Sequence, residues 1–316
     1  MKKIIMDCDP GHDDAIALLL ATRADCLELI GVTTVAGNSD LRHTTANALK
    51  VLEYADVYDI PVYAGCSKPL MRDLFRHTGA IIHGEDGLGG PHIPFAARQC
   101  EGEHAVQYLA RTLRETKEKL TVVATGPLTN IAAALTLDES VKNGIDEIIV
   151  MGGAIREAGN ITSAAEFNIY VDPEAAKIVF SSGCRLRVNP LDITMKALFL
   201  QEDIDKLALG GKVSEIVAEL LQFFGQAHLK HFGDFVCPIH DATCVAALIA
   251  PELIEYEPVF LDVSVNDELT RGETVADIWR ITGRKENARI GTKINREKFV
   301  SMIIEHLSRP YVSKRS

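Results

Sequence analysis

The chain has 316 residues, is 47% hydrophobic and carries a formal net charge of −11. A chain this long buries a sizeable core, and ordinary levels of glycine, proline and charge exclude disordered and fibrous classes. The negative balance repels phosphate backbones, which argues against a nucleic-acid partner and favours a small neutral substrate or a bound cation.

Seven cysteines (Cys8, Cys26, Cys66, Cys100, Cys184, Cys237 and Cys244) are scattered, odd in number and without a CxxC pair. That usage points to reduced thiols, most of them acting as small buried hydrophobes, and away from structural zinc. Lys2 and Lys3 are followed by only three apolar residues before Asp7, so no signal peptide is expected. No stretch approaches about 18 apolar residues without a charge, so no membrane span is expected and the cytoplasm is the expected location.

In chain order, residues 3–8 read as a buried strand and Asp13–Ala21 as a helix. Leu27–Val35 is a second apolar run, ending at Ala36-Gly37-Asn38, and Thr44–Tyr54 is helical. Leu120–Ala124, Ile145–Met151 and Arg185–Val188 read as strands, with helices at Asn130–Leu135 and Pro173–Phe180 between them. Residues 201–250 are expected to be mostly helical, Val259–Val263 and Thr274–Ile281 to be strands, and Lys298–Leu307 a closing helix. The tail 313–316 is expected to fray. Apolar strands alternating with helices imply an α/β fold: a mostly parallel central sheet with helices on both faces. No repeat or linker interrupts the pattern, so residues 1–316 read as one domain.

The strands end in polar or glycine-rich turns, at Asp9-Pro10-Gly11, Gly37-Asn38, Thr125-Gly126-Pro127 and Gly152-Gly153. Ligands of open α/β sheets bind beyond the carboxyl ends of the strands, so these turns should converge on one site.

The strongest local signal is Asp7-Cys8-Asp9-Pro10-Gly11-His12-Asp13-Asp14. The strand period of two predicts that Asp7 and Asp9 share a face. Asp13 and Asp14 fall in the first helical turn, where the helix dipole favours anions. Helix capping accounts for one or two of these carboxylates. Four packed together repel one another unless a cation or shared protons compensate. Hard oxygen ligands select Ca²⁺ or Mg²⁺ over Zn²⁺. The Thr125 carbonyl and Asp241, at the start of an apolar helix, are further candidate donors.

At these residues the sequence resembles the inosine-uridine preferring nucleoside hydrolases. The resemblance spans nearly the whole chain. Besides Asp7–Ala15 it takes in Val35–Asn38, Thr125–Asn130, Met151–Ala154, Ala165–Asn168, Asp172–Ala176 and His240-Asp241, in that order. It implies a Rossmann-related nucleoside-hydrolase fold with the active site at the C-terminal ends of the strands. It further implies hydrolysis of ribonucleosides to ribose and free base, with Ca²⁺ held by Asp9, Asp14, Asp241 and the Thr125 carbonyl. Asp9 would also be the base that activates the attacking water. Asp13 and Asn38 would bind ribose hydroxyls, and Asn160, Glu166 and Asn168 the far side of the ribose. Members are usually cytoplasmic homotetramers or homodimers.

On the nucleobase side the candidates are His83, His228, Phe232 and His240, with His231 nearby. His83 lies in a glycine-rich loop, and the resemblance makes His240 a proton donor to the leaving base. His228 and Phe232 are i, i+4 neighbours on one helix face. The 83–84 segment and the Asp7–Asp14 block look most like the uridine- and cytidine-cleaving subgroup. His228 and Phe232 depart from the Gln and Tyr common there, and Pro190 stands where relatives carry glycine. Asp192 is expected to orient metal ligands or to act as a cap.

Two other readings compete. Haloacid-dehalogenase-type phosphohydrolases also open with a strand and Asp-x-Asp, but they need Thr or Val where Gly11 stands. A silent nucleoside- or ribose-binding protein on the same scaffold has no need of a water-activating Asp9.

Overall fold

The computed structural model describes residues 1–75 and 87–314, with backbone alone at 231 and 232. Its strands are β1 (Lys2–Cys8), β2 (Leu27–Thr34), β3 (Val62–Ala64), β4 (Leu120–Ala124), β5 (Ile145–Met151), β6 (Leu186–Asn189), β7 (Leu198–Phe199), β8 (Cys237–Pro238), β9 (Ile254–Val259), β10 (Leu261–Val263), β11 (Thr274–Ala276) and β12 (Ala288–Ile294). Eight of them form one sheet in the order β3-β2-β1-β4-β5-β6-β12-β9. Every pair in it is parallel except β12 with β9. From β1 the strands step outward one way to β3 and the other way to β6. The reversal between β1 and β4 opens a crevice beyond their carboxyl ends.

Alternation along β1 feeds two cores. Ile4, Met6 and Cys8 pack with Ile16 and Leu20 of the helix His12–Arg23, and with the helices Leu41–Tyr54, Ala242–Ile249 and Arg296–Leu307. Ile5 faces the other way, towards Leu109, Ile131 and Val179 on the helices Ala105–Glu115, Thr129–Leu137 and Pro173–Phe180. Each such buried side chain is worth about 1.5–3 kcal/mol of transfer free energy. All twelve residues of His12–Arg23 are buried, which is why its sequence is apolar nearly all round.

Most expected elements lie where the sequence put them. Residues 201–250 hold the helices Gln201–Leu207, Lys212–Phe232 and Ala242–Ile249. The carboxyl third departs in four places. Pro258 lies inside β9 rather than before a strand, opposite Arg289, and it is tolerated because β9 is a sheet edge. β11 stops at Ala276 because the Asp277 carboxylate takes up the Ile281 and Thr282 N–H groups and folds that stretch into a turn. β12 was not expected; Arg289 and Lys293 break its apolar run. The tail is tied down to Lys314: Ser313 Oγ donates to Asp59 and Lys314 Nζ to the Leu27 carbonyl at 3.0 Å.

All seven cysteines are free. Cys8, Cys237 and Cys244 are buried, Cys66, Cys100 and Cys184 half-buried and Cys26 exposed, so fewer are core residues than expected. Among the described residues, no helix is long and apolar enough to cross a membrane.

Candidate active site

β1 ends at Cys8, and Asp9-Pro10-Gly11 turns the chain into the helix His12–Arg23. Gly11 is its N-cap, so Asp13 and Asp14 are the second and third helical residues. Asp14 Oδ2 accepts from Gly11 N at 3.1 Å, while Oδ1 accepts from Thr125 Oγ1 at 2.8 Å. Capping thus occupies one oxygen of Asp14, and the other reaches across the crevice to β4.

The expected shared face of Asp7 and Asp9 is not found, because the strand stops between them. Asp7 follows Ile5 to the opposite face, where Oδ1 accepts from Thr33 Oγ1 at 2.6 Å and Asn130 Nδ2 at 2.8 Å. Asp9 lies past the strand end, where Oδ2 accepts from Asn38 N at 2.6 Å. Its other oxygen, Oδ1, is buried with no hydrogen-bond partner. Two glycines make room for this carboxylate. A Cβ on Gly37 would stand 2.1 Å from Asp9 Oδ2, and one on Gly126 2.5 Å from Oδ1.

Asp241 enters from the opposite side, at the N-cap of the helix Ala242–Ile249. Asp13, Asp14 and Asp241 are buried and bring carboxylate oxygens within 4.8 Å of one another. Burial, and then repulsion from Asp14, raises the Asp9 pKa well above the ordinary range. The same two causes raise Asp13 to about 7. Burial raises Asp14 to about 6, and burial with repulsion from Asp13 raises Asp241 strongly. Concentrated buried negative charge, all on hard oxygens and with one orphaned carboxylate oxygen, is a donor set that suits a divalent cation. The structure groups Asp13 with Asp14 and Asp241, whereas the expected ligand set had Asp9 in its place. Asp9 stands beside the trio and is coupled electrostatically to Asp13, Asp14 and Asp241.

The expected sugar-side residues follow. The Thr125 carbonyl accepts from Asn168 Nδ2 at 2.8 Å, which leaves its second lone pair. Asn38 Nδ2 donates to the Asp9 carbonyl at 3.2 Å and Asp14 Oδ2 at 3.4 Å. Glu166 is buried and caps the helix Phe167–Val171, accepting from Asn168 N at 2.9 Å and Gly153 N at 3.0 Å. Burial raises its pKa. Asn160 is exposed, and its carbonyl accepts from Phe167 N at 2.9 Å. Asp192 accepts from Ile155 N and Arg156 N, shaping the loop after β5 rather than touching the carboxylates. Pro190 fits its place as the cap of the turn Leu191–Thr194, with φ −79°.

Of the residues expected on the nucleobase side, His240 pairs its Nδ1 with Thr194 Oγ1 at 2.8 Å. Burial, with His228 nearby, pushes its pKa down to about 4, so the imidazole is neutral at pH 7. His228 Nδ1 donates to the Asp234 carbonyl at 3.1 Å. His83 and the side chains of His231 and Phe232 lie outside the described residues.

Two residues beneath the site were not singled out. Asn130 donates to Asp7 and to the Thr34 carbonyl and accepts from Cys66 N, joining the ends of β1, β2 and β3. Its only sequence signal was its place in Thr125–Asn130. Asp172 accepts from Thr129 Oγ1, Leu70 N and Ala175 N, capping the helix Pro173–Phe180.

The inosine-uridine preferring nucleoside hydrolase family model matches residues 4–301. The pyrimidine-specific ribonucleoside hydrolase RihA of Escherichia coli O7:K1 is 44% identical over 96% of this chain and 97% of the relative. A purine-preferring ribonucleoside hydrolase from Gardnerella vaginalis superposes with a TM-score of 0.91 at 32% identity, covering 97% of this chain and 98% of the other. A plant nucleoside hydrolase gives 0.92 at 32% identity, covering 98% and 99%. With the carboxylates gathered at the β1–β4 crevice and these likenesses over almost its whole length, the chain belongs to the inosine-uridine preferring nucleoside hydrolase family.

Proposed function

We propose that this enzyme hydrolyses pyrimidine ribonucleosides, uridine and cytidine ahead of inosine, to ribose and free base, with Asp9 as general base. The observation that carries the reading is the Asp9 carboxylate, buried among Asp13, Asp14 and Asp241 with one oxygen left without a partner. The preference for pyrimidines rests on the 44% identity to a pyrimidine-specific relative.

Asp9, Asp14, Asp241 and the Thr125 carbonyl would hold Ca²⁺, with Asp13 close at hand. When bound, the ion offsets the carboxylate repulsion, orders the ribose 2′- and 3′-hydroxyls and lowers the pKa of water. Asp9 takes the proton of the attacking water as the water oxygen bonds to C1′; the C1′–N electron pair leaves with the base, which then takes up a proton from solvent. Asp13 and Asn38 fix the ribose hydroxyls; Glu166, Asn168 and Asn160 hold its far side, including the 5′-hydroxyl. His240 faces the leaving base as a neutral hydrogen-bonding imidazole rather than as an imidazolium acid. His228, His83 and Phe232 complete the nucleobase side. A homotetramer, with a homodimer as the alternative, and a cytoplasmic location belong to the same proposal; unpaired thiols suit a reducing compartment. So does a single domain over 1–316, supported by one sheet that takes strands from Lys2 to Ile294.

The test is release of ribose from uridine, cytidine, inosine and adenosine by calcium-loaded protein. We expect uridine and cytidine to exceed the purines by at least about tenfold in kcat/KM, a difference of about 1.4 kcal/mol. A purine nucleoside ranking first overturns the specificity, and no release from any of the four overturns the activity.

A further inference from the structure

His12 lies outside the chemistry described above, yet it is fully buried at the first position of the helix that carries Asp13 and Asp14. Its Nε2 donates to the Gly89 carbonyl at 2.8 Å; a carbonyl only accepts, so this nitrogen bears the proton. Its ring lies on two aromatic rings of the helix Lys212–Phe232. Phe223 is 5.6 Å away between centroids at 23°, and Phe224 5.8 Å away at 28°. One imidazole therefore joins three pieces of chain.

The third piece, 87–90, sits tightly on the second. A Cβ on Gly90 would be 2.8 Å from Phe223 Cβ, and one on Gly87 3.0 Å from Asn47 Nδ2. Asn47 Nδ2 in turn donates to the Pro10 carbonyl at 3.1 Å, back in the carboxylate turn. His228 follows Phe224 by four residues on the same helix face and is close enough to His240 to lower its pKa. The ring on which His12 rests is thus one turn from the nucleobase side, while its own backbone is one residue from the sugar side.

We propose that His12 is a positioning residue: it sets the distance between the sugar-binding carboxylates and the nucleobase-facing helix. This rests on the proposed hydrolase reading. Losing the bond to the half-buried Gly89 carbonyl loosens the 87–90 segment and the Phe223 side of the ring stack, while Asp13 and Asp14 keep their own hydrogen bonds.

The experiment compares wild type, His12→Phe and His12→Gln, all calcium-loaded, with uridine as substrate. Three further readings are inhibition by free ribose, the midpoint of calcium titration and the melting temperature. Phe keeps the stacking and removes the donor; Gln restores an N–H without the ring. We expect His12→Phe to raise the uridine KM about tenfold with kcat changed less than about threefold. Ribose inhibition and the calcium midpoint stay at wild-type values, and His12→Gln recovers part of the KM. Unchanged KM in His12→Phe overturns the proposal. So does a parallel loss of ribose inhibition or calcium affinity, or a fall in every parameter together with the melting temperature, which marks a merely structural residue. Wild type that releases no ribose from uridine refutes the hydrolase reading instead, and is recognised before any variant is compared.

Discussion

Asp7 and Asp9 are two residues apart, equally buried and chemically identical, yet only Asp9 joins the carboxylates of the crevice. Asp7 spends Oδ1 on Thr33 and Asn130 on the far face of β1, where burial raises its pKa to about 7. Each keeps one buried oxygen without a hydrogen-bond partner, Asp7 Oδ2 and Asp9 Oδ1; what separates them is that Asp9 lies beside Asp13, Asp14 and Asp241. The sequence period could not separate them, because a period of two holds only inside a strand and β1 stops at Cys8. The closeness of His240 to the carboxylates was legible from its place beside Asp241, but its partner Thr194 is 46 positions away in sequence and left no local trace. Since burial holds His240 near pKa 4, it is neutral at all pH values well above 4. The kcat profile of wild type for uridine should therefore lack a histidine inflection near 6.5, and His240→Ala should lower kcat about 10²-fold. An inflection near 6.5 that disappears in His240→Ala would show an imidazolium acid instead.

At the scale of elements, the turns after β1, β2 and β4 must approach more closely than side chains allow, which is the reason for Gly37 and Gly126. Gly37→Ala places a methyl group on Asp9 Oδ2 and must displace the carboxylate. We predict a fall of about 10²-fold in kcat, the usual cost of misplacing a reacting group by about 1 Å. Steady-state kinetics beside a thermal melt checks this, and a wild-type kcat would show that Asp9 has room to spare. Asp172 works differently, tying a helix cap to Leu70 and Thr129 away from the carboxylates. Asp172→Ala should cost about 2 kcal/mol in denaturant unfolding, a lost cap plus a lost buried bond. Strands β1, β2, β4, β5 and β6 were legible because they are buried and largely apolar, whereas the three-residue β3 at the other margin was too short to read. β12 and β9 were not legible either. They form the antiparallel margin of the sheet, with Arg289, Lys293 and Pro258 at positions where solvent replaces a covering helix.

For the whole molecule, the net charge of −11 is concentrated where it costs most, in buried carboxylates. The metal-free fold raises Asp13 to about 7 and Asp14 to about 6, above the ordinary 3.8. Between those values the folded chain binds more protons than the unfolded one, so metal-free stability falls as pH rises from about 4 to about 7. A divalent cation held by the cluster would replace those protons, and its stabilisation would grow over the same window. The gap in melting temperature between calcium-loaded and chelated protein should accordingly widen from pH 5 to pH 8; a constant gap would place the ion elsewhere. The switch of strand order at β1 and β4 explains why residues as far apart in sequence as Asp9, Thr125 and Asp241 meet at all. The glycine-rich strand ends announced that meeting, whereas the packing of His12 on Phe223 and Phe224 had no sequence signature. We propose that this carboxylate cluster hydrolyses ribonucleosides through a bound calcium ion and Asp9. The most direct test is ribose release from uridine by wild type and Asp9→Asn, each chelated and then resupplied with calcium. Chelated wild type should be inactive and recover with calcium, and resupplied Asp9→Asn should remain at least about 10³-fold slower in kcat. Full activity in chelator, or in Asp9→Asn, would contradict the proposal.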